Sequence, residues 1–548
     1  MMLITIIILF IVLIIAITTD QKSINNKLRK WNREHYGKKP AEVHCDWEKI
    51  GYFWSEYGDS VSNEEKLDDI TWNDLEMDHL FNRINTCLSF AGEQILYYTL
   101  HCLKKKDSDT EERLEAKINF FKNKDQEREE IQLVLSKLSK VDGYYLLPMF
   151  VNKLEAFRIP GIRGYRFMQI ILLISIIPAI ILLNPVYLII TLGIFLINML
   201  IYAINKSKYE VVLDTLNAVI GIVKAGGQIA DTKKFSYEDK FHDLKEKVSL
   251  FKELTHMIGS LKRSKEISLS GSFEAIMYDY LVGATLWDFV KYERIMHILQ
   301  GKQNEFIDLY EKIGEIDMAI AAASFRTSLT LYCTPTFSEE PVLQMEDLYH
   351  PLIETPVYNT VTLDKSCIIT GSNASGKSTF IKAVAINVIL AQSLHTCMAK
   401  KMILPYASVI TSMAVRDNLM SGESYYIKEI KYLNRIIQSL HEERFIICAI
   451  DEILRGTNTE ERITASTAIL KYLSKKNCIA IVASHDFELT VRLNKLYDNY
   501  HFSEKILDND IVFEYKIYEG ATASKNAIKL LELMKFPSEI IEEARNPL

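Results

Sequence analysis

Residues 371–379 read Gly371-Ser372-Asn373-Ala374-Ser375-Gly376-Lys377-Ser378-Thr379, a polar turn framed by two glycines and closed by a lysine and two hydroxyls. Residues of these types at this spacing can hold a polyphosphate. Glycine tolerates backbone angles that let successive N–H groups converge on anionic oxygens. The lysine would reach the β and γ phosphates, and the hydroxyl beside it suits Mg²⁺. The G-x-x-x-x-G-K-S pattern carries this meaning only between a strand and a helix. The apolar run Cys367-Ile368-Ile369-Thr370 predicts that strand, and Ile381-Lys382-Ala383-Val384-Ala385-Ile386 predicts the helix, whose N-terminus adds a favourable dipole. The expected ligand is ATP with Mg²⁺, cradled by 371–379, with Ser378 on the metal.

About seventy residues further on, Phe445-Ile446-Ile447-Cys448-Ala449-Ile450 ends in Asp451-Glu452. Such a strand delivers two carboxylates at its C-terminal end, where sites lie in open α/β sheets. Asp451 is expected in the metal shell, and Glu452 is expected to orient and polarise the attacking water. A further strand, Cys478-Ile479-Ala480-Ile481-Val482-Ala483, ends in Ser484-His485-Asp486. His485 is placed there to bond the γ phosphate or the lytic water. The catalytic set is Glu452, Lys377 and His485; the metal set is Ser378 and Asp451.

These groups need a scaffold. From about Ser338 short apolar runs alternate with helices, which predicts an α/β domain over 336–548. Residues 20–166 and 205–335 read as mainly helical. Leu80, Phe81, Ile84, Phe90, Leu96 and Leu100 mark an amphipathic helix facing a core, and Glu111–Lys140 reads as one long, partly exposed helix. Helices are expected over Tyr209–Ala225, Phe241–Leu261, Ser272–Gly301 and Gln303–Phe325, with Gly226-Gly227 and Ser268–Ser272 as breaks.

Three stretches suit a bilayer. Leu3–Ile17 carries no charge and is short for a span; a signal peptide is the alternative, although no basic segment precedes it and no small-x-small cleavage site follows. Lys22, Lys27, Arg29, Lys30, Arg33, Lys38 and Lys39 come next, which by the positive-inside rule places this flank in the cytoplasm and the N-terminus (1–19) outside. Residues 167–204 hold two apolar halves, Phe167–Leu183 and Val186–Ile204, joined at Asn184-Pro185 as a transmembrane hairpin. Arg158, Arg163 and Arg166 before it and Lys206 and Lys208 after it put both ends on the same cytoplasmic side.

The 548 residues carry a net charge of −7 with a pI near 6.0, so no global basic signature marks nucleic acid as the partner. Eight scattered cysteines without a C-x-x-C pair read as small core residues in a reducing compartment, not as a metal site.

Residues 350–545 resemble the ATPase domain of the MutS mismatch-repair family. The resemblance rests on His350-Pro351-Leu352, the loop with Asn373, Ser421-Gly422-Glu423-Ser424, Asp451–Thr459 (DEILRGTNT), Ala483–Leu489 (ASHDFEL) and Gly520-Ala521-Thr522-Ala523-Ser524 with the helix to Arg545. Residues 66–142 are similar to the start of the family's core lever. The fold implied is an ABC-like P-loop NTPase with a helical lever, here joined to three transmembrane helices. The resemblance implies ATP hydrolysis in a homodimer whose composite sites are each completed by Ser424 of the partner subunit. Position 425 is Tyr where that signature usually has Thr, and L-S-G-G-Q of ABC transporters is absent. No counterpart of the family's Phe-x-Glu mismatch wedge is found in the sequence, and the hydrophobic hairpin stands where the family carries its DNA clamp. Two functions stay open: a membrane-held ATPase that senses mismatched or damaged DNA, and a mechanochemical membrane ATPase acting on a protein or lipid.

Overall fold

The computed structural model describes residues 22–41, 45–103, 108–182, 184–231, 238–256, 283–372, 374–413, 425–440, 444–507, 510–522 and 534–545. The first apolar stretch, Leu3–Ile17, therefore lies outside the described residues.

The α/β part is built on ten strands: β1 Thr336–Phe337, β2 Leu343–Leu348, β3 Asn359–Leu363, β4 Cys367–Thr370, β5 Lys401–Leu404, β6 Ala407–Ser412, β7 Phe445–Asp451, β8 Cys478–Ala483, β9 Asp498–Leu507 and β10 Asp510–Glu519. The main sheet has the order β10-β9-β4-β8-β7-β6, parallel except for the antiparallel edge strand β10. Strands β4 and β8 are buried along their whole length, and β7 up to its last residue, as expected of parallel strands covered on both faces. Alternate residues feed two cores. Cys367, Ile369, Ile447, Ala449 and Ile481 face the helix Lys377–Leu394, while Ile368, Cys448, Ile450, Ala480 and Val482 face the opposite layer with Leu433 and Leu470. A smaller sheet, β1-β5-β2-β3, packs on the first side.

The helical part joins that same first core, so the helical and α/β parts share one continuous apolar interior. Five helices matter below: α1 Phe90–His101, α2 Ser108–Asn123, α3 Ile162–Leu182, α4 Pro185–Ala230 and α5 Gln303–Thr327. Gly92 lets α1 and α5 cross closely, since a Cβ there would lie 2.3 Å from Asp317 Oδ2. Asp317 is wholly buried and accepts from Ser89 N (2.8 Å), Ser89 Oγ (2.5 Å) and Leu88 N (3.1 Å), which satisfies the start of α1.

Several helix limits differ from expectation. The stretch 69–101 is three helices, Asp69–Asp74, Met77–Ile84 and α1, broken where Glu76 takes φ +55° and where Ser89 caps α1. Glu111–Lys140 is not one helix: α2 ends at Asn123 and Asp125–Ser136 follows, with Ile118, Phe121, Ile131 and Leu135 buried. Of the helix expected over Phe241–Leu261, the described part splits at Leu250–Phe251 into Glu238–Ser249 and Lys252–His256, and residues 257–261 lie outside the described residues.

The largest correction concerns α4. The second hairpin half and the helix expected at Tyr209–Ala225 are one rod of 46 residues. Gly226-Gly227 does not break it; Gly226 instead allows close packing, because a Cβ there would come within 2.8 Å of Val248 Cγ2. Asn184 caps the rod by accepting from Val186 N at 2.9 Å, with Pro185 at its first position, so the Asn-Pro pair makes the tight turn predicted. Ile162–Leu182 and Pro185–Lys206 are the two helices among the described residues long and apolar enough to cross a membrane. Their surfaces stay uncovered: Ile174, Ile181, Ile189 and Leu200 are among the residues more than half exposed.

Candidate nucleotide site

The loop after β4 turns on Gly371 (φ +148°) and Gly376 (φ +109°), conformations that a Cβ would strain. Space forbids a side chain as well, since a Cβ on Gly371 would sit 2.8 Å from the Phe502 carbonyl oxygen. Ala374 adopts φ +65° and is exposed at the loop's tip. Helix α6, Lys377–Leu394, starts directly from Gly376, so its first N–H groups and its positive dipole end open onto the loop. Lys377 is buried and donates to the carbonyls of Gly371 (2.7 Å) and Ser372 (2.8 Å), which holds its ammonium at the loop mouth. Burial lowers its pKa, partly opposed by Asp451, Glu452 and Glu504. Ser372 donates to Glu504 at 2.9 Å, and Ser378 and Thr379 stand exposed on the first turn of α6.

Sheet order brings the other groups alongside. Strand β8 lies between β4 and β7, with Ala483 opposite both Ile369 and Asp451. The strand ends therefore deliver the loop, the carboxylates and His485 to one edge. Ser378 stands beside the Asp451 carboxylate. Burial raises the Asp451 pKa, the Ser378 hydroxyl opposes this, and the neighbouring Glu452 charge adds to the rise. Glu452 takes φ +58° and donates its N–H to Ala483 O at 3.1 Å, which swings its side chain toward β8. There Oε1 meets His485 Nε2 at 3.1 Å and Oε2 meets Arg455 Nε at 3.0 Å. The His485 hydrogen bond is the main cause of a lowered Glu452 pKa, so this carboxylate stays ionised at neutral pH. Arg462 clamps Asp486 with two bonds of 2.8 and 2.7 Å and so fixes the loop that carries His485.

Lys377, Ser378, Asp451, Glu452 and His485 thus lie at one edge of the sheet. Asn373 and Ser424 lie outside the described residues. Three neighbours went unassigned in the sequence: Arg455, Glu504 and Glu429. Glu429 is the one that left a signal. In the helix α7, Tyr425–Gln438, it occupies the core-facing stripe Tyr426, Leu433, Ile436, where a carboxylate needs a partner.

The arrangement fits a divalent cation and a triphosphate on its donor chemistry. Ser378 and Asp451 already meet as hard oxygen donors, and Ser375 Oγ is a buried hydroxyl without a protein partner inside the phosphate loop. Among the described residues no cluster of three or more His, Cys, Asp or Glu forms a separate metal site. The cysteines sit free, mostly buried, although Cys333 meets Cys397 and Cys448 meets Cys478 in space, pairings that their sequence spacing hides.

Residues 367–548 match the family model for MutS domain V. Among similar relatives is a DNA mismatch repair protein MutS of Pseudothermotoga lettingae, 31% identical over 271 residues, covering 47% of this chain and 33% of that protein. The Staphylococcus aureus protein of the same name is 28% identical over 300 residues (52% and 33%), and that of Staphylococcus saprophyticus 28% over 341 residues (60% and 36%). The chain spans about a third of the length of these curated relatives.

Proposed function

From a chain that belongs to the MutS family through its domain V, we propose a membrane-anchored, Mg²⁺-dependent ATP hydrolase. One observation carries the reading: the Lys377 loop, Asp451, Glu452 and His485 converge on the C-terminal edge of three adjacent parallel strands. Lys377 and the N-terminal N–H groups of α6 bind the phosphates. Ser378 and Asp451 would hold Mg²⁺, which would supply charge neutralisation for the phosphates. Glu452, kept anionic by His485 and Arg455, orients the attacking water and accepts its proton, and His485 reads the γ phosphate. Two subunits pair as a homodimer with composite ATP sites, Ser424 of the partner subunit completing each.

In this reading the protein is a multi-pass membrane chain of three helices, N-terminus outside and the ATPase domain in the cytoplasm; the apolar hairpin α3–α4 and the uncharged sequence Leu3–Ile17 support it. Arg158, Arg163, Arg166, Lys206 and Lys208 on the inner flanks support this topology. Family kinship supports coupling of hydrolysis to DNA, as the names of the relatives suggest. The long membrane hairpin and the net charge of −7 favour a second reading, in which the lever acts on a protein or lipid partner.

ATP hydrolysis by the detergent-solubilised full-length protein, with and without homoduplex, mismatched and branched DNA, tests both. Glu452→Gln should lower kcat by about 10²–10⁴-fold. A mutant hydrolysing at the wild-type rate refutes the mechanism. Stimulation by DNA that disappears in the mutant supports the DNA reading, and hydrolysis indifferent to every DNA supports the membrane-partner reading.

A further inference from the structure

The hydrolytic carboxylate sits in a strained turn. Glu452 and Leu454 both adopt left-handed backbone angles, φ +58° and +57°, which non-glycine residues hold only when neighbouring structure fixes them. The fixing group comes from a different element. Glu429 of α7 is 7% exposed, and its two carboxylate oxygens accept from consecutive backbone donors of that turn. Arg455 N reaches Oε1 at 3.2 Å and Gly456 N reaches Oε2 at 3.1 Å. The two elements pack closely here: a Cβ on Gly456 would lie 3.0 Å from Tyr426 Cβ and 3.2 Å from Tyr426 Cα, one turn before Glu429 on the same helix. The Arg455 backbone so held positions the guanidinium that meets Glu452 Oε2 at 3.0 Å.

We propose that Glu429 is a positioning residue for ATP hydrolysis, holding the 452–456 turn so that Glu452 faces the water it activates. This rests on the hydrolase reading above and adds to it a residue outside the set assigned to phosphate, metal and water. A carboxylate accepting two backbone N–H groups is a strong, geometrically specific clamp, and its loss leaves two donors of the turn without that partner. Misplacement of a catalytic group by about 1 Å can cost on the order of 10²-fold in rate.

The experiment compares wild type, Glu429→Ala, Glu429→Gln, Glu452→Gln and the double variant Glu429→Ala/Glu452→Gln in full-length protein, with kcat and KM for ATP measured separately. Glu429→Ala should lower kcat by about 10–100-fold with KM within about threefold of wild type. Glu429→Gln, which turns an NH₂ toward one of the two N–H donors, should lower it by a smaller factor and decides the matter if the alanine variant fails to fold. Because Glu429 acts through Glu452, the double variant should hydrolyse no more slowly than Glu452→Gln alone. A wild-type kcat in the Glu429 variants overturns the proposal, as does a further tenfold loss in the double variant or a rise in KM without a change in kcat. If Glu452→Gln itself keeps the wild-type rate, the hydrolase mechanism beneath the proposal fails instead, so the two failures read differently.

Discussion

Two buried histidines outside the 371–379 loop make stability fall toward acid pH. His101 at the end of α1 is buried against Trp72, with ring centroids 3.9 Å apart, and its Nδ1–H donates to Tyr97 O at 2.9 Å. Burial pushes its pKa down to about 4, the Tyr97 bond opposing only part of that. His350, after β2, falls to about 4 as well, through burial and then the nearby Lys382 charge. Both rings are held neutral when folded, while the unfolded chain protonates them near pH 6.5, so the unfolded state binds more protons between those values. Their stability is therefore complete above about pH 6.5 and declines as the pH falls toward 4. Urea denaturation at pH 7.5 and pH 5 should show a loss on the order of 2 kcal/mol per histidine at the lower pH. His101→Phe, which cannot titrate, should reduce that loss by about half. An unchanged pH dependence in the variant would show that His101 is not buried as a neutral ring.

At the scale of elements, the C-terminal end of α6 is tied to the helical part. Helix α6 begins at the Gly371–Gly376 loop and ends at Leu394, where His395 O accepts from Arg326 at 2.7 Å and Thr396 Oγ1 from the same guanidinium at 2.9 Å. Arg326 lies near the end of α5 and forks onto Glu115 of α2 at 2.8 and 2.7 Å, with His395 Nδ1 on the same carboxylate at 2.9 Å. Arg326 is fully buried. Burial alone would raise the Glu115 pKa, but the bonds from His395 and Arg326 outweigh it and bring it to about 2. Removing one member of such a group leaves an uncompensated charge, so Arg326→Met should cost about 3–5 kcal/mol in denaturant unfolding. Arg326→Met with Glu115→Leu should recover much of this, and a double variant as unstable as the single one would refute the account. None of this joint was legible in the sequence, because its three residues are separated by 69–280 positions and none belongs to a motif. The phosphate loop and strand-end carboxylates were legible because their spacing is local and their strands are uninterrupted apolar runs. The limits of the lever helices were not: Gly226-Gly227 reads as a breaker until Val248 is seen against it, and Glu76 shows nothing of its left-handed angle.

For the whole molecule, α4 is the deciding feature. Its first half presents Leu192, Leu196 and Leu200 to the outside, each more than half exposed, while its second half buries Leu216, Val219, Ile222, Val223 and Ile229 in the lever core. One uninterrupted helix at 1.5 Å per residue thus runs from the apolar hairpin into the core shared with α5 and the phosphate-loop helix. A soluble protein would not leave so contiguous an apolar surface in water, whereas a bilayer covers it at no cost in unsatisfied backbone, since all the spanning groups are helical. If the hairpin spans the membrane, Leu192→Lys with Leu196→Lys places two charges on one helix face near the middle of the hydrocarbon. Each costs about 2.5–3.5 kcal/mol at that depth, enough to shift insertion heavily toward failure. Carbonate-washed membranes should retain the wild type and lose most of the double variant. Hydrolysis in detergent should stay the same, because no nucleotide-binding residue lies on this face. Release of the wild type by carbonate would remove the membrane from the proposal and turn this face into a surface for another protein.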